Sequence, residues 1–199
     1  MSTGVLIVLI VIIVAAVVIG AVALNRRAGG AHGPHNLKRR FGPEYDRVVS
    51  RHDGDTKAAD HELAERVQRH GDLRERPLEP AERERFTARW TAAQEQFVES
   101  PQQAVAEADL LLGELAGVRG FPKGGEYEEQ FAALSVHHAE HVHGYRRVHS
   151  AAHDERADTE EMRTAMIEAR AFFDELVDER ERPRPKSKSR LNKLQLKGS

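Results

Sequence analysis

The chain has 199 residues with 30 Lys and Arg against 32 Asp and Glu, a net charge of −2, and no cysteine, which excludes disulfide and thiol chemistry and fits a reducing compartment. That small net charge hides a segregation: residues 1–42 carry five basic and no acidic side chains, residues 43–179 carry 17 basic and 31 acidic (net −14), and residues 180–199 carry eight basic and one acidic (net +7). An acidic middle of this size argues against nucleic acid as a partner of the folded part, because neutralising phosphates takes clustered Lys and Arg.

From the N-terminus, four residues precede an unbroken apolar run of twenty, Val5 to Leu24, and about 20 such residues span a bilayer. Fifteen of the twenty are Val, Ile or Leu, and at about −0.3 to −0.6 kcal/mol each on an insertion scale they favour the membrane by roughly 5 to 9 kcal/mol. The competing reading is a cleaved signal peptide, with Ala21-Val22-Ala23 as the small-x-small cleavage site. Against it, Met1 to Gly4 has no basic residue, whereas Arg26 and Arg27 follow the run as a stop-transfer pair. These arginines, with Lys38, Arg39 and Arg40, set the expected topology as N-terminus out and domain in the cytoplasm at the cell membrane; an exported domain is the alternative.

Residues 25–40 read as a flexible basic linker, rich in Gly between Asn25 and Asn36. Residues 41–179 read as an acidic all-α domain, a compact bundle of about five or six helices, since strand formers are scarce and Ile167 is the single Ile after the span. Pro43 opens a helix with Tyr45, Val48 and Val49 on its apolar side, broken near Gly54. The charged stretch from Lys57 to His70 offers the pair Leu63 and Val67, so solvation or partial docking is expected. After a connector containing Pro77, a helix from Pro80 to Glu99 places Phe86, Trp90, Ala93 and Phe97 on one face.

Ser100, Pro101 and Gln103 have the form of a capping box, and the helix they start carries Val105, Ala108, Leu112 and Leu115 inward until Gly117 or Gly120. Phe121 to Gly125 is a turn. A short helix from Glu126 to Leu134 and a longer one from Val136 to His153 follow. Asp158 and Glu161 suit the cap and third position of a final helix with a seam of Met162, Ala165, Met166, Ala169, Phe172, Phe173 and Leu176. Residues 180–199 are too polar and basic to build a core and are expected to be disordered, with Arg184, Lys186, Lys188, Arg190 and Lys193 available to anionic lipid headgroups or to a partner.

Six of the eleven histidines lie between His137 and His153. On one helix, His137 with His141 and His149 with His153 would pair at i, i+4, a spacing that suits Zn, Ni or Cu, and His138 lies beside the first pair. The bland reading is a set of exposed and core-edge histidines bonded to backbone or carboxylate. Tyr145, Arg146 and His149 fall within about one turn, as a polar site beside His138 or as a helix-packing hydrogen-bond group. There is no His-Glu-x-x-His, nucleophile elbow, phosphate loop or dinucleotide fingerprint, so no catalytic residue and no cofactor is expected.

Several stretches together resemble an actinobacterial family of small membrane-anchored or secreted helical proteins with no assigned activity. They are Phe41 to Val49; Arg76-Pro77-Leu78; Arg85, Trp90, Gln94, Phe97 and Val98; Ala104-Val105 with Glu107-Ala108-Asp109; Arg119-Gly120 with Pro122; Leu134-Ser135-Val136 with His138; Tyr145-Arg146 with His149; and Arg163 with Ala165-Met166. That family places an acidic residue and a proline around the position of His138, where this chain has His137 and Ala139. The resemblance implies an all-helical domain behind an N-terminal hydrophobic segment and carries over no catalytic residue.

The function expected on these grounds is a single-pass membrane-anchored binding or scaffold module, its partners the lipid bilayer and a protein not identifiable from sequence. The alternatives are a metal-binding protein or metal-dependent enzyme using the His137 to His153 region, and an exported protein released from its leader.

Overall fold

The seam of the final helix sets the architecture, because seven inward side chains over nineteen residues demand a partner surface on two sides. In the computed structural model, which describes residues 34–123, 127–154 and 156–178, that helix is α8, Thr159–Val177, and all seven seam residues are buried. Before it come α1 Pro34–Phe41, α2 Pro43–Arg51, α3 Thr56–His70, α4 Pro80–Gln96, α5 Pro101–Val118, α6 Tyr127–His137 and α7 Val142–His153. The described residues are thus all helical outside turns and connectors, with eight helices where the sequence predicts five or six. The span Val5 to Leu24, Arg26, Arg27 and the basic tail from Arg184 to Lys193 lie outside the described residues. Among those described, no helix is long and apolar enough to cross a membrane.

Two cores result. The larger gathers Phe86 and Trp90 of α4, Leu111, Leu112 and Leu115 of α5, Phe131 and Leu134 of α6, Tyr145 and Val148 of α7, and the α8 seam. Trp90 stacks on Phe173 with ring centroids 4.7 Å apart, and each such fully buried large side chain contributes about 1.5–3 kcal/mol. The smaller core joins Leu37 and Phe41 of α1, Tyr45 and Val48 of α2, Ala59 and Leu63 of α3, and Val136 from the end of α6.

Four expectations are corrected by this arrangement. Residues 34–40 are not linker: Pro34 sits at the helix start, and Leu37 and Phe41, four apart, plug the smaller core. The stretch from Lys57 to His70 is docked, burying Ala59, Leu63, Arg66 and His70. Ser100 makes no side-chain cap; Gln103 instead accepts a hydrogen bond from Gln96 at 3.0 Å. The helix expected from Val136 to His153 is interrupted, because α6 ends at His137 and α7 begins at Val142. No Pro or Gly marks that break. Ala139 and Glu140 within it are good helix formers, so the break follows from what surrounds His138 and not from local propensity.

The connector between α3 and α4 is sewn to the end of α5. Arg76 N–H donates to the Arg119 carbonyl at 2.7 Å, and the Arg119 guanidinium donates back to the Arg76 carbonyl at 3.0 Å. Gly120 permits the exit, with φ at 100° and the Arg74 carbonyl 3.3 Å from where a Cβ would stand. The Asp158 box forms as expected: its carboxylate accepts from Glu161 N–H at 2.8 Å, and Glu161 accepts from Asp158 N–H at 3.2 Å.

Candidate functional site

The histidine-rich region divides into two carboxylate-centred groups at opposite ends of α7. At the N-terminal end, the turn after α6 delivers His138, 3% exposed, between two acids. Its Nδ1 lies 2.9 Å from Glu175 of α8, and its Nε2 lies 3.4 Å from Glu75 of the connector. Both carboxylates act on the buried ring through close polar contact as well as through charge. Glu175 also holds His141 at 2.8 Å, and Glu75 pairs with Arg119 at 2.6 Å.

Burial by itself would lower the pKa of His138, but Glu175 and Glu75 outweigh it and raise it above the ordinary histidine value. The acids move the other way: burial pushes Glu75 up, yet His138 and Arg119 together bring it down to about 2. Glu175 is lowered in the same fashion by His138 and His141. His138 is therefore biased toward its protonated form by the two carboxylates, and a protonated ring offers no lone pair to a metal.

At the C-terminal end, His149 and His153 lie one turn apart on α7 and face Asp109 of α5, which is 8% exposed. His149 Nδ1 is 3.1 and 3.0 Å from the two Asp109 oxygens, and His153 Nδ1 is 3.9 Å from Oδ2. Tyr127 stacks flat on the His149 ring, with centroids 3.6 Å apart and planes 5° from parallel, and fixes its orientation. Desolvation raises the pKa of Asp109 even though both histidines pull against it. Among the described residues, Asp109, His149 and His153 are the three ligand-type side chains whose donor atoms lie within 4.8 Å of one another.

The sequence candidates therefore separate. His137 and His141, expected on one face, sit on different elements: His137 Nε2 contacts the His70 carbonyl at 2.8 Å, while His141 serves Glu175. His143 meets the Glu140 carbonyl at 3.0 Å. Compared with known families, curated proteins and solved structures, the chain has no match. Its chemistry is read from these side chains.

Of the Tyr145, Arg146 and His149 trio, the two rings stay in contact at 6.4 Å between centroids, but the polar atoms of all three take different partners. Tyr145 donates to Gln130 at 2.9 Å, His149 faces Asp109, and Arg146 grips Glu44 of α2 bidentately at 2.7 and 2.8 Å. Arg66 of α3 stands 3.4 Å from the same carboxylate and donates to Ser135 of α6 at 3.1 Å. Glu44 thus ties the small core to the large one. The cations on α1 from which the sequence predicts topology are exposed yet partnered: Lys38 with Asp46 at 3.2 Å, Arg39 with Asn36 at 2.9 Å, and Arg40 with the Val136 carbonyl at 3.4 Å.

Three contributors escaped the sequence reading, namely Asp109, Glu75 and Glu175. Asp109 lies 40 positions from His149 and Glu175 lies 34 from His141. In a chain this rich in acids, no local pattern distinguishes these from solvated carboxylates.

Proposed function

We propose that the chain is a single-pass membrane-anchored binding module, a helical domain held at the bilayer to concentrate a protein partner there. The observation that carries this reading is the join between the apolar run and the domain. Only residues 25–33 separate Leu24 from α1, and nine residues reach at most about 30 Å. A domain leashed that closely works in a thin layer above the lipid, where tethering raises local concentration without any new contact.

Features of the domain exterior support the same reading. Val98, Leu110 and Ile167 are 86%, 61% and 67% exposed, large apolar side chains on offer to a protein surface. The basic residues after 179 add a second contact with anionic lipid, at about 1 kcal/mol per cation held close to the headgroups.

Alkaline carbonate washing of membranes from cells expressing the full chain tests the anchor. The protein should stay in the pellet until detergent is added, and deletion of residues 5–24 should release it. Full-length protein in the wash, or a mature N-terminus at Leu24, would overturn the reading. Protease added to intact spheroplasts reads the side: a cytoplasmic domain stays uncut.

A further inference from the structure

We infer that Asp109, His149 and His153 form a three-ligand site for a borderline divalent cation of the zinc class, bridging α5 and α7. This rests on the domain alone and is independent of the anchor.

The geometry comes first. A tetrahedral ion with bonds of 2.0–2.2 Å separates its donors by about 3.3 Å. The Asp109 oxygens already stand 3.0 and 3.9 Å from the nearest nitrogens of His149 and His153. The widest spacing within the group, up to 4.8 Å, closes by a swing of one side chain. His153 is the one able to swing: its side chain is 65% exposed, and its Nδ1, now 2.8 Å from the His149 carbonyl, exchanges that one contact for the ion. Asp109 and His149 are preset: the carboxylate is held against α7 inside the bundle, and the Tyr127 stack keeps the His149 ring in plane.

Donor chemistry selects the ion. Two imidazoles and one carboxylate suit Zn, Co, Ni or Cu(II), and the lack of cysteine leaves no thiolate for soft Cu(I). Calcium and magnesium want six or more oxygens and are poorly served here. Three protein ligands beside an exposed imidazole leave a coordination position open to water.

The helix context adds an electrostatic argument. Asp109 is 8% exposed, and a carboxylate so far inside the bundle is costly without a charged partner. A dication bound directly to the carboxylate offsets that cost. The His138 ring, by contrast, already faces a carboxylate from each of its nitrogens, Glu175 from Nδ1 and Glu75 from Nε2.

The test uses the full chain in detergent, stripped of metal with a chelator, and titrated with ZnCl2 at pH 7.5 by calorimetry and with CoCl2 by visible absorption. One equivalent of Zn should bind saturably, with Co giving the intense bands of a four- or five-coordinate site. His153→Gln, at an exposed position that the fold does not need, should weaken binding roughly 100-fold, as should His149→Gln. Asp109→Asn should do the same, with its helicity checked by circular dichroism. His61→Gln, on the exposed face of α3, should bind like the wild type. Absence of saturable uptake, or uptake equal in His153→Gln and wild type, would overturn the proposal.

Discussion

Replacing Gly144 with Ala adds one methyl where α7 crosses α8, and the structure fixes what it meets. The new Cβ would stand 2.2 Å from the Glu168 carbonyl oxygen and 2.9 Å from the Ala169 nitrogen. Both are backbone atoms in the middle of α8, so no rotamer change relieves the contact; one helix must retreat by about 1 Å to restore a normal separation near 3.2 Å. Such overpacking costs about 1–3 kcal/mol, with backbone against backbone at the upper end. Ala gains up to about 1 kcal/mol over Gly in a helix, less in the first turn where Gly144 lies. The net is a loss of about 2 kcal/mol. For a domain of about 140 described residues this lowers Tm by roughly 6–8 °C. Thermal melts at 222 nm and urea unfolding of Gly144→Ala measure it. Gly113→Ala is the control, since its Cβ would meet the Tyr145 hydroxyl at 3.2 Å and needs a shift of only a few tenths of an ångström. A neutral or stabilised Gly144→Ala, or equal losses at the two sites, would refute the claim that close helix approach is what requires glycine at 144.

Removing Glu44 should be among the costliest single changes, because Glu44→Ala leaves Arg66 buried and Arg146 half-buried without their shared carboxylate; a loss of about 3–5 kcal/mol in urea unfolding is expected. The same ΔΔG from Glu44→Gln as from a surface Glu would count against it. The His138 clamp predicts a stability profile with two limbs. His138 has a raised folded pKa, so its contribution is complete below about pH 6.5 and fades as pH rises through the folded value; Glu75 and Glu175 are lowered, so theirs is complete above about pH 4.5 and fades on acidification, toward about 2 for Glu75. The clamp is strongest between about pH 4.5 and 6.5. His138→Gln should flatten the alkaline limb of Tm against pH, and an unchanged limb would sink the assignment. Asp158→Ala should cost about 1 kcal/mol through the lost cap of α8, read by the same melts.

How far the chain could be read in advance differed by element. The α8 seam and its box were legible because both are local: a periodicity of 3.6 residues and a spacing of three. The face of α4 carrying Phe86, Trp90 and Ala93 was legible for the same reason. The first helix was hidden by the Gly-rich stretch before it, although Leu37 and Phe41 at i, i+4 carried the signal. The break between α6 and α7 had no local mark, since no Gly or Pro lies within residues 138–141. It is enforced by the carboxylates that hold His138 and by the close passage of Gly144 over α8.

By itself the sequence determined the helical class, the apolar run that defines the expected anchor, the acidic middle and the pairing of His149 with His153 on one face. These follow from composition and from intervals of three or four residues, the range over which a helix repeats itself. Only the tertiary structure decided which acid each histidine meets: Asp109 for His149 and His153, Glu75 and Glu175 for His138, Glu44 for Arg146. With 32 acidic residues in the chain, such partnerships depend on how helices cross and in which register, and that is set by the packing of buried surfaces from distant segments.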